Sequence, residues 1–360
     1  MSAKMTRFFL IPVVATVSLL LVWADDRLFH ADKRQLFYYL DGDGVRHPVR
    51  ARSDWQKRKG HILTNMQLVM GPLPKRKKMP LDIVVLEEVR LTAYTRKKLT
   101  LVSEKGDRVP AYLLIPNQPK GRLPAVVCLH QTVDLGKGEP VGLGGRPNLH
   151  YAHELAERGY VTIAPDYPYL GEYQTDPYAM GYASATMKGI CNHRRAVDLL
   201  ESLPEVDGKR IGAIGHSLGG HNTLFLGVFD ERVRAMVTSC GFNSFEKYFG
   251  GNLAGWSSKF YMPRIAEKYG NSPAQMPFDF PEVLAALAPR PVFINAPLGD
   301  NNFEVSGVRD CVEAARPIYE KIFEAGDRLV AVYPDAGHDF PPATRQAAYQ
   351  FLNKWLKDSK

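Results

Sequence analysis

Short apolar runs alternate with longer stretches of helical periodicity through most of the chain after residue 120. Alternation of this kind is typical of βαβ units, which build a parallel sheet with helices on both faces. Each run predicts a buried strand, and these strands are 125–129, 160–164, 210–214, 233–239, 291–296 and 328–332. The sequence therefore predicts an α/β fold with a mostly parallel central sheet flanked by helices.

Three further runs with strand character, at 84–92, 98–103 and 109–115, predict an antiparallel entry to the same sheet. The composition, 45% hydrophobic and 23% charged over 360 residues, is ordinary for a globular protein that buries a large core. In parallel sheets active sites lie beyond the carboxyl ends of the strands. The loops that follow the predicted strands are therefore the place to look for catalytic residues.

The chain begins with features of an export signal. Lys4 and Arg7 precede an apolar run over 8–23, and a polar, acidic stretch follows Ala24. We expect residues 1–24 to be a signal peptide, because the run is short for a membrane span of about 20 residues. The protein is then exported, to the periplasm or outside the cell. A retained N-terminal anchor is the alternative, and only that would bring the protein to a membrane.

The remaining chain divides at a segment rich in proline, Gly71-Pro72-Leu73-Pro74. Residues 25–80 are polar and irregular, with helical patches near 36–40 and 55–70, and are expected to be an extension packed against the main domain. Residues 81–360 are expected to form the catalytic domain.

A nucleophile motif follows the predicted strand 210–214. The segment Gly215-His216-Ser217-Leu218-Gly219-Gly220 has the pattern G-x-S-x-G and precedes a predicted helix. The serine of such a turn has strained backbone angles and close neighbours, which is why the flanking residues are glycines. Ser217 is therefore the predicted nucleophile, with a tight structural turn as the alternative interpretation.

A serine hydroxyl needs a base, and an imidazole needs a carboxylate to fix its tautomer. His338 is the predicted base, because it alone among the histidines follows the last strand. Asp300 follows the strand before it and lies between serine and histidine in the chain, in the order Ser…Asp…His. The competing carboxylates are Asp310, Asp335 and Glu304, of which Asp335 is expected to form a turn.

An oxyanion hole requires two backbone N–H donors. The first is predicted to be that of Leu218, the residue after the nucleophile. The second is expected from the loop after strand 125–129, which reads His130-Gln131-Thr132, with Thr132 favoured over Gln131.

Together these residues resemble the α/β-hydrolase superfamily, and most closely its dienelactone-hydrolase-like and acetyl xylan esterase-like branches, over about residues 85–358. The resemblance implies a triad of Ser217, Asp300 and His338, a hole formed by Leu218 and Thr132, and a structural role for Asp166. Two features depart from the family patterns. Dienelactone hydrolases use a cysteine nucleophile, and many esterases carry His-Gly where this chain has His130-Gln131.

A long insertion separates the strand ending at 239 from the acid-bearing strand. A segment of this length inside a compact domain is usually functional. Its aromatic residues could form a wall for a sugar or acyl group, or pack a small helical cap; they are Phe242, Phe245, Tyr248, Phe249, Trp256, Phe260 and Tyr261.

The predicted activity is carboxylic ester hydrolysis through an acyl-enzyme, with a small-molecule or carbohydrate ester such as acetylated xylan as substrate. No cofactor is expected, and no Cys/His spacing indicates a metal. A prolyl-oligopeptidase-like serine peptidase is the first alternative, although about 60 residues cannot build the propeller such enzymes carry. A catalytically inactive hydrolase fold used for binding is the second.

The four cysteines are expected to be buried apolar residues without a disulfide framework. The net charge is +8, and basic residues form clusters at 46–59 and 75–78. These clusters are expected to be solvated, with attraction to an acidic polysaccharide as the alternative. Nucleic acid is not a predicted partner, because no aromatic residues interleave the basic ones.

Overall fold

The computed structural model describes residues 28–75 and 79–358. The export signal predicted at 1–24 lies outside the described residues. The extension contains a small hairpin, formed by β1 (Tyr38–Leu40) and β2 (Arg46–Pro48), followed by helix α1 (Arg52–Met70). The helical patch predicted near 36–40 was therefore wrong. The side chain of Asp41 accepts the N–H groups of Asp43 and Val45, and this turn pairs the two strands antiparallel.

Helix α1 packs against residues later in the chain. Trp55, Ile62 and Met66 on one face of the helix are completely buried. Arg58 Nη2 donates to Glu282 Oε1 over 2.6 Å, and both side chains have 0% exposure. Because an unpaired charge at this depth would cost several kcal/mol, the pair fixes the position of the extension.

A nine-stranded mixed sheet forms the centre of the molecule, as the sequence predicted. Its spatial order is β11-β10-β9-β8-β6-β7-β5-β4-β3. Strands β6 to β11 pair in parallel, and β3 to β5 pair antiparallel at one edge. The strands are β3 (Val84–Arg90), β4 (Tyr94–Glu104), β5 (Asp107–Pro116), β6 (Leu123–Leu129), β7 (Val161–Pro165), β8 (Val206–His216), β9 (Val233–Ser239), β10 (Val292–Asn295) and β11 (Leu329–Val332).

Helices cover both faces of the sheet. Successive side chains of a strand point to opposite faces, so Val127 joins one core cluster with α3 and α4, and Cys128 joins another with α2 and α8. Burial on both faces explains why the strands read as continuous apolar runs. The remaining helices are α2 (Tyr151–Glu157), α3 (Ala185–Ser202), α4 (Leu218–Phe229), α5 (Arg264–Glu267), α6 (Phe280–Ala286), α7 (Val305–Pro317) and α8 (Pro342–Leu356).

The insertion between β9 and β10 consists of short helical segments, of which α5 and α6 are the α-helical ones. All four cysteines are free thiols, and three of them are buried. Within 28–75 and 79–358, no helix is both long and apolar enough to span a bilayer.

Candidate active site

Ser217 occupies a sharp turn between β8 and α4. Its backbone angles are φ 54° and ψ −117°, a conformation that costs energy for any residue other than glycine. The glycines around it permit close contacts: a Cβ on Gly219 would lie 1.9 Å from the Leu129 carbonyl oxygen, and one on Gly215 would lie 2.2 Å from the Gly219 oxygen. The predicted strand–turn–helix context of the G-x-S-x-G motif is therefore present.

His338 and Asp300 form a hydrogen-bonded pair beyond the carboxyl ends of the strands, where Ser217 also lies. Asp300 follows β10, His338 follows β11, and the Nδ1 atom of His338 lies 3.0 and 3.1 Å from the two carboxylate oxygens. Burial opposes ionisation of Asp300, but the hydrogen bond and charge of His338, with the N–H groups of Asn302 and Phe303, hold its pKa below the ordinary value. Nδ1 therefore donates, which leaves Nε2 of His338 to accept a proton.

The imidazole of His338 lies beside the serine turn. Its ring centroid is 4.8 Å from that of His216, the residue before Ser217, and 6.0 Å from the ring of Phe303, which lines the cleft at Ser217. The hydrogen bonds of His338 go to Asp300 and Arg146, and none reaches Ser217. Such bonds are often long in free enzymes and tighten when substrate binds. The structure brings Ser217, Asp300 and His338 together beyond the carboxyl ends of β8, β10 and β11, and their catalytic roles stay predictions.

The loop after β6 has an orientation set by His130. Nδ1 of this buried imidazole donates to the Gln131 carbonyl over 2.6 Å, and Nε2 accepts the Tyr167 N–H over 3.0 Å. Burial lowers the pKa of His130, in keeping with a neutral ring that both donates and accepts. Because a trans peptide points its C=O and N–H in opposite directions, the Thr132 N–H faces away from His130.

The Thr132 N–H is not used by His130, so Thr132 stays the predicted oxyanion donor, with Gln131 second. The Gln131 side chain is held by Glu139, and the Thr132 hydroxyl lies 2.9 Å from the hydroxyl of Tyr261. The Leu218 N–H, at the first position of α4, has no acceptor within the helix and remains available.

A small cleft of about 30 Å³ opens beside the serine. About 10–15 Å³ of such space admits one water molecule, so the cleft admits a small group. Its walls come from the start of α4, the insertion and the loop after β10; they are Ser217, Leu218, His221, Tyr248, Gly255, Trp256, Tyr261, Asn302 and Phe303.

The aromatic residues of the insertion divide between the two predicted roles. Tyr248, Trp256 and Tyr261 line the cleft. Phe242 and Phe245 are buried in the core, where the first stacks on Phe280 and the second meets it edge to face. The insertion is therefore both a wall of the cleft and a packed helical unit.

His221 is a cleft residue that the sequence analysis missed. Its Nδ1 donates to the Gly241 carbonyl over 3.3 Å, and its Nε2 is buried without a hydrogen-bond partner among the described residues. Burial lowers the pKa of His221 to about 3, so the ring is neutral and Nε2 is an acceptor. Its position four residues after Ser217, in the first turn of α4, was the available signal.

Two further groups of polar residues lie near the site. Asp166 is buried and accepts hydrogen bonds from the backbone and the ammonium of Lys137, which ties the loops after β6 and β7 together. Within the described chain, His216, Cys240 and His338 place potential metal-ligating atoms within 4.8 Å of one another. In the free protein these side chains hydrogen-bond to Ser239, Asp339 and Asp300 instead.

The sheet topology and the serine turn together define the α/β-hydrolase fold, as predicted. Solved esterase structures share this fold. A family model described as "Glucuronyl esterase, fungi" matches residues 179–322, which is less than half of the chain.

The solved glucuronoyl esterase from Solibacter usitatus superposes with a TM-score of 0.72 at 18% identity, over 91% of this chain and 99% of that one. An acetyl xylan esterase-like structure from Bacteroides fragilis superposes with a TM-score of 0.62 at 18% identity, over 92% and 88% of the two chains. In sequence, the "Putative hydrolase YtaP" of Bacillus subtilis is 25% identical over 300 residues, 80% of this chain and 96% of that protein.

Proposed function

We propose that the protein is a serine-dependent carboxylic ester hydrolase that acts through an acyl-enzyme on carbohydrate esters. The observation that carries the proposal is the strained Ser217 turn at the end of β8, adjacent to a partly buried His338–Asp300 pair. Names among the similar proteins support the substrate class, since they include glucuronoyl, acetyl xylan and methyl esterases.

The reaction divides into two acyl transfers. Nε2 of His338 takes the Ser217 proton while Oγ attacks the ester carbonyl carbon, and Asp300 stabilises the imidazolium. The N–H groups of Leu218 and Thr132 hold the oxyanion of the tetrahedral intermediate. As it collapses, the C–O bond to the alcohol breaks, and His338 gives the alcohol its proton. Water then attacks the acyl-enzyme with the same assistance and releases the acid and the free serine.

The cleft favours esters whose acid half is small at the position next to the carbonyl. A cleft of about 30 Å³ has room for a group such as the methyl of an acetyl ester. The acceptor Nε2 of His221 lines the cleft wall without a hydrogen-bond partner among the described residues, so a donor group that enters the cleft could satisfy it. Both acetyl and uronoyl esters therefore belong in the substrate screen.

Comparison of ester and peptide substrates tests the proposal against the peptidase alternative. Purified protein is assayed on 4-nitrophenyl acetate, methyl glucuronate, acetylated xylan and a prolyl peptide anilide, with Ser217→Ala as the control. We expect turnover of one or more esters that depends on Ser217, and no comparable anilide hydrolysis. Preferential anilide hydrolysis would favour a peptidase, and failure of every ester would favour the binding alternative.

Export accords with a substrate in the cell's surroundings. We propose that residues 1–24 direct the chain to the periplasm or the exterior, that 25–80 are an extension, and that 81–360 are the catalytic domain. The charge flanks and apolar run of the first segment support export. Mass spectrometry of the N-terminus of protein recovered from the exported fraction distinguishes a cleaved signal from a retained anchor.

A further inference from the structure

An exposed arginine lies beside the proposed catalytic base. Arg146 Nη1 donates to the backbone carbonyl of His338 over 2.9 Å, and the residue is otherwise open to solvent. A guanidinium carries five N–H donors in a planar fork. One is used at His338, and the described residues provide no acceptor for the others. The guanidinium therefore presents positive charge and free donors next to the site.

The loop that carries Arg146 is fixed from below by a buried carboxylate. Glu139 is 1% exposed, accepts both hydrogen bonds of the Gln131 amide at 3.0 Å, and accepts the Arg146 N–H at 3.1 Å. A Cβ on Gly145 would lie 2.4 Å from its Oε1, so the loop rests directly on this carboxylate. Glu139 thereby holds Arg146 and the loop 130–132, which carries the proposed oxyanion donor, in one rigid arrangement.

The position of Arg146 assigns it to one half of the substrate. In the proposed reaction His338 donates its proton to the departing alcohol, so the alcohol half of the ester lies next to this imidazole. The hydrogen bond to the His338 carbonyl holds the guanidinium beside that imidazole. A group on the alcohol half would therefore come within reach of Arg146.

We infer that Arg146 binds a carboxylate on the alcohol half of the ester, so that the substrate is an acyl ester of an acidic, uronate-bearing carbohydrate. This inference rests on the proposed ester hydrolase function. A carboxylate matches the planar fork with two parallel hydrogen bonds, whereas a neutral sugar hydroxyl does not use its charge. The net charge of +8 also favours the approach of an acidic polymer.

A matched pair of small esters tests the inference. The acetate ester of 4-hydroxybenzoate carries a carboxylate on the alcohol half, and the acetate ester of methyl 4-hydroxybenzoate is its neutral counterpart. The 3-hydroxybenzoate pair varies the position of the charge, and sulfonate counterparts separate a carboxylate site from a general anion site. For each enzyme the quantity measured is the ratio of kcat/KM on the charged ester to that on the neutral one.

In wild type we expect this ratio to exceed one for a carboxylate pair and to fall as salt rises, because salt screens exposed charges. Arg146→Gln should lower the ratio about tenfold or more, the range of a charge-assisted hydrogen bond. Arg146→Lys should lower it less, because it keeps the charge but loses the fork. Arg90→Gln, a charge removal on the remote edge strand β3, should leave the ratio unchanged.

Three outcomes overturn the inference: a wild-type ratio at or below one for both carboxylate positions, an equal ratio in Arg146→Gln, or a stronger preference for the sulfonates. Because Arg146 also anchors the His338 carbonyl, a loss of rate on both esters alike assigns it a purely positioning role. Turnover of the neutral ester keeps the proposed function intact in each case, whereas loss of Ser217-dependent turnover on every ester is a failure of that function.

Discussion

Replacement of Asp300 by asparagine tests the proposed roles of the acid and the base in one variant. Oδ1 of Asp300 accepts the N–H groups of Asn302 and Phe303 at 2.9 and 3.0 Å. The oxygen of an asparagine would stay there, 3.0 Å from His338 Nδ1, and its NH₂ group would take the place of Oδ2, 3.1 Å from the same nitrogen. The imidazolium loses the stabilising charge in either arrangement, and an NH₂ group that donates to Nδ1 also holds the tautomer that carries its proton on Nε2. That tautomer cannot accept the Ser217 proton.

The expected loss of rate combines the wrong tautomer with the loss of a buried charge. Together these cost about 4 to 5.5 kcal/mol of transition-state stabilisation, or about 10³- to 10⁴-fold in kcat. The assay is kcat and KM on the best ester from the substrate screen, with circular dichroism to verify folding. Asp335→Asn, at the exposed competing carboxylate, is the matched control and should retain near-wild-type kcat. A folded Asp300→Asn enzyme within about tenfold of wild type, or an equal loss in Asp335→Asn, would refute the assignment.

Three further predictions concern packing and chemistry around the site. Gly219→Ala should lower kcat more than about 100-fold or prevent folding, because its Cβ would lie 1.9 Å from the Leu129 oxygen. Gly60→Ala is the control and should be tolerated, because the space around its Cβ is open. Equal activity of the two variants would contradict the close approach. Arg58→Met should lower the free energy of unfolding in urea by about 3 to 5 kcal/mol, because it leaves the charge of Glu282 unpaired. The double variant Arg58→Met/Glu282→Leu should recover part of that loss. A double variant whose loss equals the sum of the two single losses would contradict this. Burial raises the pKa of the Cys128, Cys240 and Cys311 thiols, so these should react slowly with a disulfide reagent in the native protein. All four cysteines should react in denaturant without reductant, because all four are free thiols. Fewer than four reactive thiols would reveal a disulfide.

The parallel sheet was predictable because its strands are buried on both faces. Runs such as 125–129 are apolar at every position, and that pattern survives without any knowledge of tertiary contacts. The hairpin at 38–48 was not predicted, because its three-residue strands are too short to show a period of two. Its turn chemistry, Asp41-Gly42-Asp43-Gly44, was the better indicator.

Local motifs and chain order indicated the candidate triad and hole residues, whose roles stay predictions, and they gave no sign of residues whose significance depends on distant contacts. His221 gains its interest from a carbonyl at Gly241 and from walls supplied by the insertion. Arg146 gains its interest from Glu139 on one side and from His338, far along the chain, on the other. The sequence around His221 or Arg146 does not indicate these partners, because the contacts join loops that are distant in the chain and meet only in the folded protein.

Covalent labelling with a fluorophosphonate tests the central claim, that the Ser217 hydroxyl is activated by the neighbouring His338–Asp300 pair. The labelled protein is digested, and the modified peptide is identified by mass spectrometry in wild type, Ser217→Ala and His338→Ala. The account predicts one adduct, on Ser217, absent from the first variant and formed much more slowly in the second. An unlabelled wild-type protein, or an adduct that persists unchanged in either variant, would contradict it.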